Sequence, residues 1–271
     1  MTARPTPRPV PDEPAGHDLL AGKVAVVTAA AGTGIGSATA RRLLAEGATV
    51  VVSDAHERRL QETAAALAGT PRADGSGSPE PVAVACDVTD EAQVQALFAA
   101  ALGAHGRIDV VVNNAGLGGT ADIVDMTDEQ WSRVVDVTLT GTLRCTRAAL
   151  RILNPQGSGV IVNNASVLGW RAQAGQAHYA AAKAGVMALT RSAAVEAAPH
   201  GVRVNAVAPS LAMHPFLAKV TSDELLDELA GREAFGRPAE PWEIATVIAF
   251  LASDYSTYMT GEIVSVSSQH P

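Results

Sequence analysis

Tyr179, Lys183 and Ser166 are the side chains whose types and spacing could move a proton. Tyr179 and Lys183 stand four residues apart in "HYAAAKAG" (178–185), so on a helix they share one face. An ammonium beside a phenol favours the phenolate and lowers its pKa. A free phenol titrates near about 10, so such help is what base catalysis near neutrality needs. Ser166 closes the run "GVIVNNAS" (159–166). From the end of a neighbouring strand its hydroxyl can hold a substrate oxygen while Tyr179 exchanges the proton. A tyrosine and a lysine at this spacing are, alone, an ordinary solvated helix pair. The chain has only three tyrosines, and this one follows a strand-end serine and a glycine-rich turn.

That turn is "VTAAAGTGIGSATARR" (27–42). Gly32, Gly34 and Gly36 let the backbone bend tightly and approach a pyrophosphate, and the helix that follows offers free N–H groups to it. Asp54 lies eighteen residues beyond Gly36, at the end of the second apolar run. A carboxylate there can accept both hydroxyls of an adenosine ribose and repel a 2′-phosphate, which favours NAD over NADP. Asp54 also suits a helix cap, and Arg58 and Arg59 stand close enough in sequence to receive a 2′-phosphate instead. Asp87 ends the third run as an adenine contact or a turn residue. "NNAG" (113–116) ends the fourth; its glycine would let a cofactor lie close, and its asparagines could brace the strand ends.

The elements that must position these groups alternate regularly. Strands are predicted at 23–28, 48–54, 82–87, 108–114, 159–166, 202–208 and 262–267. Helices are predicted at 34–46, 56–68 and 90–104, as one long helix from about Thr127 to Leu150, and at 176–198, 222–230 and 240–253. A Gly/Pro/Ser-rich loop fills 69–81. Short apolar strands alternating with helices imply right-handed βαβ units. The expected fold is α/β: one Rossmann-type doubly wound parallel sheet of about seven strands with helices on both faces, occupying 19–271. Ligands on such sheets bind beyond the carboxyl ends of the strands, where each residue above falls. Residues 1–18 carry five prolines and are expected to be a mobile tail that contributes little to the fold.

Composition narrows the function. Apolar residues make up 47% of the chain but aromatics only 4%, so the core must be Ala, Val, Leu and Ile. A net charge of −8 without a basic run disfavours nucleic acid. Cys86 and Cys145 form no metal-ligand pattern and read as buried free thiols. The start has no signal-peptide core and no apolar run is long enough to span a bilayer. A cytoplasmic protein with no membrane and no metal partner is expected.

Taken together, the glycine turn, "CDV" (86–88), "NNAG", Ser166, Tyr179, Lys183 and "VNAVAP" (204–209) resemble the short-chain dehydrogenase/reductase family over residues 20–271. The resemblance implies a nicotinamide cofactor, here NAD, and a homotetramer or homodimer formed through the helices near 127–150 and 176–198. It carries catalytic roles onto Ser166, Tyr179, Lys183 and Thr138. It carries cofactor contacts onto Thr28, Gly32, Gly34, Ile35 and Gly36 in the turn, and onto Asp54, Asp87 and Val88. Further along they fall on Asn114, Ala115, Gly116, Tyr179, Lys183 and Pro209. The chain departs from the family at four places. Its turn is one residue longer, with Ala29 and Ala30 where the first glycine should fall. Thr138 replaces a helix-borne asparagine, and its hydroxyl is expected to keep a water relay from the lysine to solvent. Ser210 follows Pro209 in place of glycine, and His214 stands near where a threonine is usual.

A narrower resemblance rests on "AAAGTGIGSATARR", "NNASVLGWRAQ", "AFGRPAEPWE" and the ending "SQHP". It is to a subgroup of bacterial steroid C/D-ring breakdown that acts on a hydroxylated methyl-indanone carried as a CoA thioester. This implies a small-molecule alcohol or ketone substrate, oxidised or reduced at a ring carbon. Trp170, Met213, His214 and Phe216 would flank the cleft or serve as core or lid packing, and Arg171 reads as a solvated arginine or as a contact to a CoA phosphate. Two other readings stay open. One is a 3-oxoacyl-thioester reductase using NADPH; the other is a nucleotide-binding protein without catalysis.

Overall fold

The computed structural model describes residues 7–213 and 223–268. Seven parallel strands form one sheet in the order β3-β2-β1-β4-β5-β6-β7. They are β1 (Val24–Val27), β2 (Thr49–Asp54), β3 (Val82–Ala85), β4 (Val110–Asn113), β5 (Gly159–Asn164), β6 (Val202–Pro209) and β7 (Ile263–Val266). The helices are α1 (Ile35–Ala45), α2 (Glu57–Leu67), α3 (Glu91–His105), α4 (Asp128–Val135), α5 (Gly141–Gln156), α6 (Ala177–Ala197), α7 (Asp223–Arg232) and α8 (Pro241–Ala252).

Strand alternation divides the core in two, because successive side chains point to opposite faces. Ala25, Val27, Val50, Val52, Val110 and Val112 face Leu43 and Leu44 of α1, Leu60 of α2 and Ile244 and Ile248 of α8. Val26, Val51 and Val111 face Val94, Leu97 and Phe98 of α3, Cys145 and Ala148 of α5 and Ala193 of α6. Small side chains on α6 let that helix lie close to the sheet. The strand order reverses between β1 and β4, and the glycine turn opens at that crevice.

The single helix expected over 127–150 is interrupted. A capping box of Thr127 and Gln130 starts α4, five residues Asp136–Thr140 widen into a π turn, and α5 then runs on to Gln156. Such widened turns free backbone groups and often sit at functional positions. Thr138 lies in the middle of this one.

Residues 7–18, expected to contribute little, make specific contacts. Arg42 and Glu46, one turn apart on α1, form a buried ion pair. Arg42 also donates to the carbonyls of Pro14 and Ala15. Glu46 accepts the amides of His17 at 2.8 Å and Leu19 at 3.1 Å. A side chain at Gly16 would collide with the Ala45 carbonyl. Farther out, the Arg8 amide donates to Phe235 O at 2.9 Å, and its guanidinium lies 5.1 Å from that ring's centre. Residues 14–17 form no regular element but dock at the end of α1, where their backbone groups meet the donors and acceptors of the buried ion pair.

Candidate active site at the carboxyl edge of the sheet

The glycine turn is built for close approach. A Cβ on Gly36 would stand 2.2 Å from Ala29 O and 2.6 Å from Asn114 Nδ2, whereas Gly32 and Gly34 face open space. The extra residue of the turn is absorbed by Ala29, which takes a left-handed backbone at φ +50°. That conformation favours glycine, and the Asn114 side-chain amide holds it by donating to Ala29 O at 3.0 Å. Gly34 caps α1 without a side-chain bond, and the first turn, from Ile35, has no acid. Its N–H groups are therefore available to an anion.

Asp54 sits at the end of β2 and holds the glycine turn and the approach to α2 by their backbone amides. Its carboxylate accepts the amide of Ala31 in the turn at 3.2 Å and that of His56 before α2 at 2.9 Å. Burial raises its pKa, opposed by the Ala31 bond and by Arg59. Arg58 instead pairs with Glu62 at 3.5 Å on the surface. Thr63, which the sequence reading missed, accepts the Gly32 amide at 2.9 Å. Asp87 Oδ1 holds the Thr89 amide and hydroxyl at 2.9 and 2.8 Å. Val88 packs where a Cβ on Gly141 would go. Pro209 ends β6, and Ser210 donates onward to Val266 O at 3.1 Å. An uncapped helix start, two open glycines and a carboxylate at the end of β2 fit a dinucleotide.

Asparagines do brace the strand ends. Asn113 donates to Asn163 Oδ1 at 2.9 Å and to Thr146 at 3.1 Å, and Asn163 donates to Thr190 on α6 at 2.9 Å. Asn164 donates to Asn114 Oδ1 at 2.8 Å. Thr28 joins β1 to β4 by accepting the amides of Asn114 at 3.0 Å and Ala115 at 3.3 Å. These cross-links fix the height of each strand end.

Ser166, Tyr179 and Lys183 come together on this frame. Ser166 leaves β5 and accepts the Leu168 amide at 3.2 Å; its hydroxyl lies near enough to Tyr179 to oppose the rise of that phenol's pKa. Lys183 is buried and donates to Asn164 O at 2.5 Å, a partner not anticipated from sequence. Its Nζ lies 5.5 Å from the centre of the Tyr179 ring. A Cβ on Gly116 would sit 3.2 Å from that Nζ. The lowered phenol pKa expected from sequence is not found in the protein alone. Burial pushes Tyr179 up to about 12, although Ser166 opposes it, while burial pulls Lys183 down to about 8. Part of the Tyr179 surface stays exposed, yet desolvation is the dominant cause of the shift.

Thr138 is fully buried. Its hydroxyl accepts the Leu117 amide at 3.0 Å and donates to Leu117 O at 3.3 Å. It is thus engaged with the loop after β4, while the Thr138 carbonyl accepts from Thr142 at 2.7 Å. Trp170 is partly exposed after a short turn at Val167–Gly169, and Met213 donates its amide to Ala239 O at 3.1 Å. His214 and Phe216 lie outside the described residues, as do 269–271. Gln176 and His178, flanking the start of α6, drew no attention in the sequence because nothing in their spacing marks them.

Comparison with known proteins places the chain among oxidoreductases of related sequence and fold. The family profile described as Enoyl-(Acyl carrier protein) reductase matches residues 29–268. The chain is 67% identical, over 96% of its length and 98% of the relative's, to (5R,7aS)-5-hydroxy-7a-methyl-1-oxo-2,3,5,6,7,7a-hexahydro-1H-indene-carboxyl-CoA reductase of Mycobacterium tuberculosis. It is 44% identical to cis-4-hydroxycyclohexanecarboxylate dehydrogenase of Sinomonas cyclohexanicum, covering 92% of this chain and 96% of that one. A crystal structure of a short chain dehydrogenase from Mycobacterium smegmatis superposes with a TM-score of 0.83 at 59% identity, covering 97% and 99% of the two chains. With that breadth of match around a serine, a tyrosine and a lysine at the carboxyl edge of a parallel sheet, the chain belongs to the short-chain dehydrogenase/reductase family.

Proposed function

We propose that this oxidoreductase interconverts a ring secondary alcohol and its ketone on a steroid-derived indanone carried as a CoA thioester, with NAD(H) as cofactor. The observation that carries the reading is the Ser166–Tyr179–Lys183 cluster in a chain 67% identical to the indene-carboxyl-CoA reductase. The second relative, by name, also acts on a hydroxylated ring bearing a carboxyl function.

A bound nicotinamide dinucleotide supplies the hydride acceptor or donor. The protein supplies everything at the substrate oxygen. Ser166 hydrogen bonds that oxygen, and Tyr179 takes its proton in oxidation or returns one in reduction. A phenol held at about 12 is protonated at neutral pH and ready to act as the acid in reduction. In oxidation the positive charge of Lys183 would favour the phenolate. Asp54 is read as the ribose ligand that selects NAD, supported by its place beside the uncapped start of α1. Gly116, Asn114, Ala115, Asp87, Val88 and Pro209 are read as lining the cofactor groove. The subunit is read as part of a homodimer or homotetramer, supported by exposed Trp131, Leu143 and Val195 on α4, α5 and α6. Among the described residues no helix is long and apolar enough to cross a membrane.

The test is a panel of hydroxy-indanone and hydroxycyclohexane carboxylic acids, free and as CoA thioesters. Each is offered with NAD and with NADP, and nicotinamide absorbance is followed. Turnover confined to CoA thioesters with NAD is expected. Preference for linear 3-oxoacyl thioesters with NADPH would replace the reading with the reductase alternative, and cofactor binding without turnover would favour the non-catalytic one.

A further inference from the structure

We propose that His178 is a positioning residue for Tyr179, acting through a seat on Gly119. The proposal rests on the reading of Tyr179 as the proton-transfer group. His178 occupies the first turn of α6, where helix propensity gives no reason for a histidine, and it is buried beneath an exposed loop. Its Nδ1 accepts the Tyr179 amide at 3.0 Å. In the neutral imidazole the proton must then sit on Nε2, and that edge faces Gly119. A Cβ on Gly119 would stand 3.1 Å from His178 Nε2. Gly119 has no left-handed backbone, so a side chain there would be felt as pressure on the imidazole edge and not as backbone strain.

The contact is one stitch in a seam. Gln176 Nε2 donates to Gly119 O at 2.7 Å and to Thr120 Oγ1 at 3.3 Å, and the Ala121 amide donates to Gly175 O at 3.0 Å. Behind the same loop Thr138 holds both backbone groups of Leu117. The loop therefore touches Lys183 through Gly116 and the start of α6 through Gly119. His178 is the only member of the seam bonded directly to the residue that carries the phenol. A change at this seat displaces the phenol from Ser166 without touching the cofactor turn.

The experiment reads Tyr179 with and without turnover. Tyr255 and Tyr258 are exposed and are the other two tyrosines, so Tyr255→Phe/Tyr258→Phe leaves Tyr179 as the sole phenol. Its ionisation is followed by ultraviolet absorbance, which needs no substrate. In that background His178→Phe keeps a flat ring on Gly119 and removes the acceptor. It is expected to move the phenol midpoint and to lower turnover about tenfold or more, since small misplacements are costly. Cofactor Kd should stay within about twofold. His178→Asn, which returns an acceptor near Nδ1, should restore most of the loss. Gly119→Ala should mimic His178→Phe, yet add nothing to His178→Ala, because contacting residues are non-additive. A parent-like phenol midpoint in folded His178→Phe, or additive effects in the Gly119/His178 pair, would overturn the proposal. If His178→Phe does not fold, His178→Asn and the Gly119/His178 cycle decide. A parent inactive on the whole substrate panel would sink the proposed function instead, and the absorbance readout would still judge His178.

Discussion

Replacing Lys183 by methionine should abolish turnover and stabilise the fold at neutral pH. The Lys183 ammonium is 2% exposed, bonds Asn164 O, and has no carboxylate partner among the described residues. Burial takes its pKa from 10.5 to about 8. Below pH 8 the folded state therefore carries a buried charge at a cost of roughly 3 kcal/mol relative to the unfolded chain. Methionine keeps the stem and removes the charge, but leaves the Asn164 carbonyl without its donor, which costs about 1–3 kcal/mol. The net at pH 7 is a gain of about 1 kcal/mol. Between pH 8 and 10.5 the unfolded lysine stays protonated while the folded one loses its proton, so the parent gains stability as pH rises. Above that window only the missing hydrogen bond remains and the variant becomes the less stable protein. Tyr179 titrates in both and cancels. Urea unfolding at pH 7 and at pH 10.5 measures the crossover. Equal stability differences at the two pH values would refute the assignment of the lowered pKa to burial of this charge.

Thr138→Val keeps the shape and strands both Leu117 backbone groups, so it should cost about 1–3 kcal/mol and slow turnover, read by urea unfolding and by steady-state rates. A parent-like result in both would make position 138 packing alone. If Asp54 holds the adenosine ribose as proposed, Asp54→Ala should shift cofactor selectivity toward NADP, and it should also lower the melting temperature because the Ala31 and His56 amides lose their acceptor; binding of the two cofactors by fluorescence titration measures the first effect. Deleting residues 1–17 takes the Pro14 and Ala15 carbonyls from a buried guanidinium and the His17 amide from Glu46. A loss of about 2–4 kcal/mol follows, seen as a melting temperature lower by several degrees; an unchanged melting curve would return these residues to the role of a loose tail.

Much of this protein was legible in its sequence. Seven apolar runs, each too short for a helix of its own, alternating with helical stretches define a parallel sheet, because only crossovers join parallel strands. Ser166, Tyr179 and Lys183 stood out because a strand end and one helix face are local features, readable at a spacing of a few residues. The glycine turn was visible for the same reason, though only the backbone shows that Ala29 takes the left-handed place of the missing glycine. What tertiary structure decided depends on distance through space and on burial. Lys183 finds its partner on β5, Thr138 spends its hydroxyl on Leu117, and His178 meets Gly119, all pairs separated by many residues. Burial likewise reverses the direction expected for the Tyr179 pKa, since desolvation is a property of the packed site and not of a residue's neighbours in sequence. Residues 7–18, rich in proline, form no regular element. That they dock was hidden, because the buried Arg42–Glu46 pair that receives them exists only once α1 is packed.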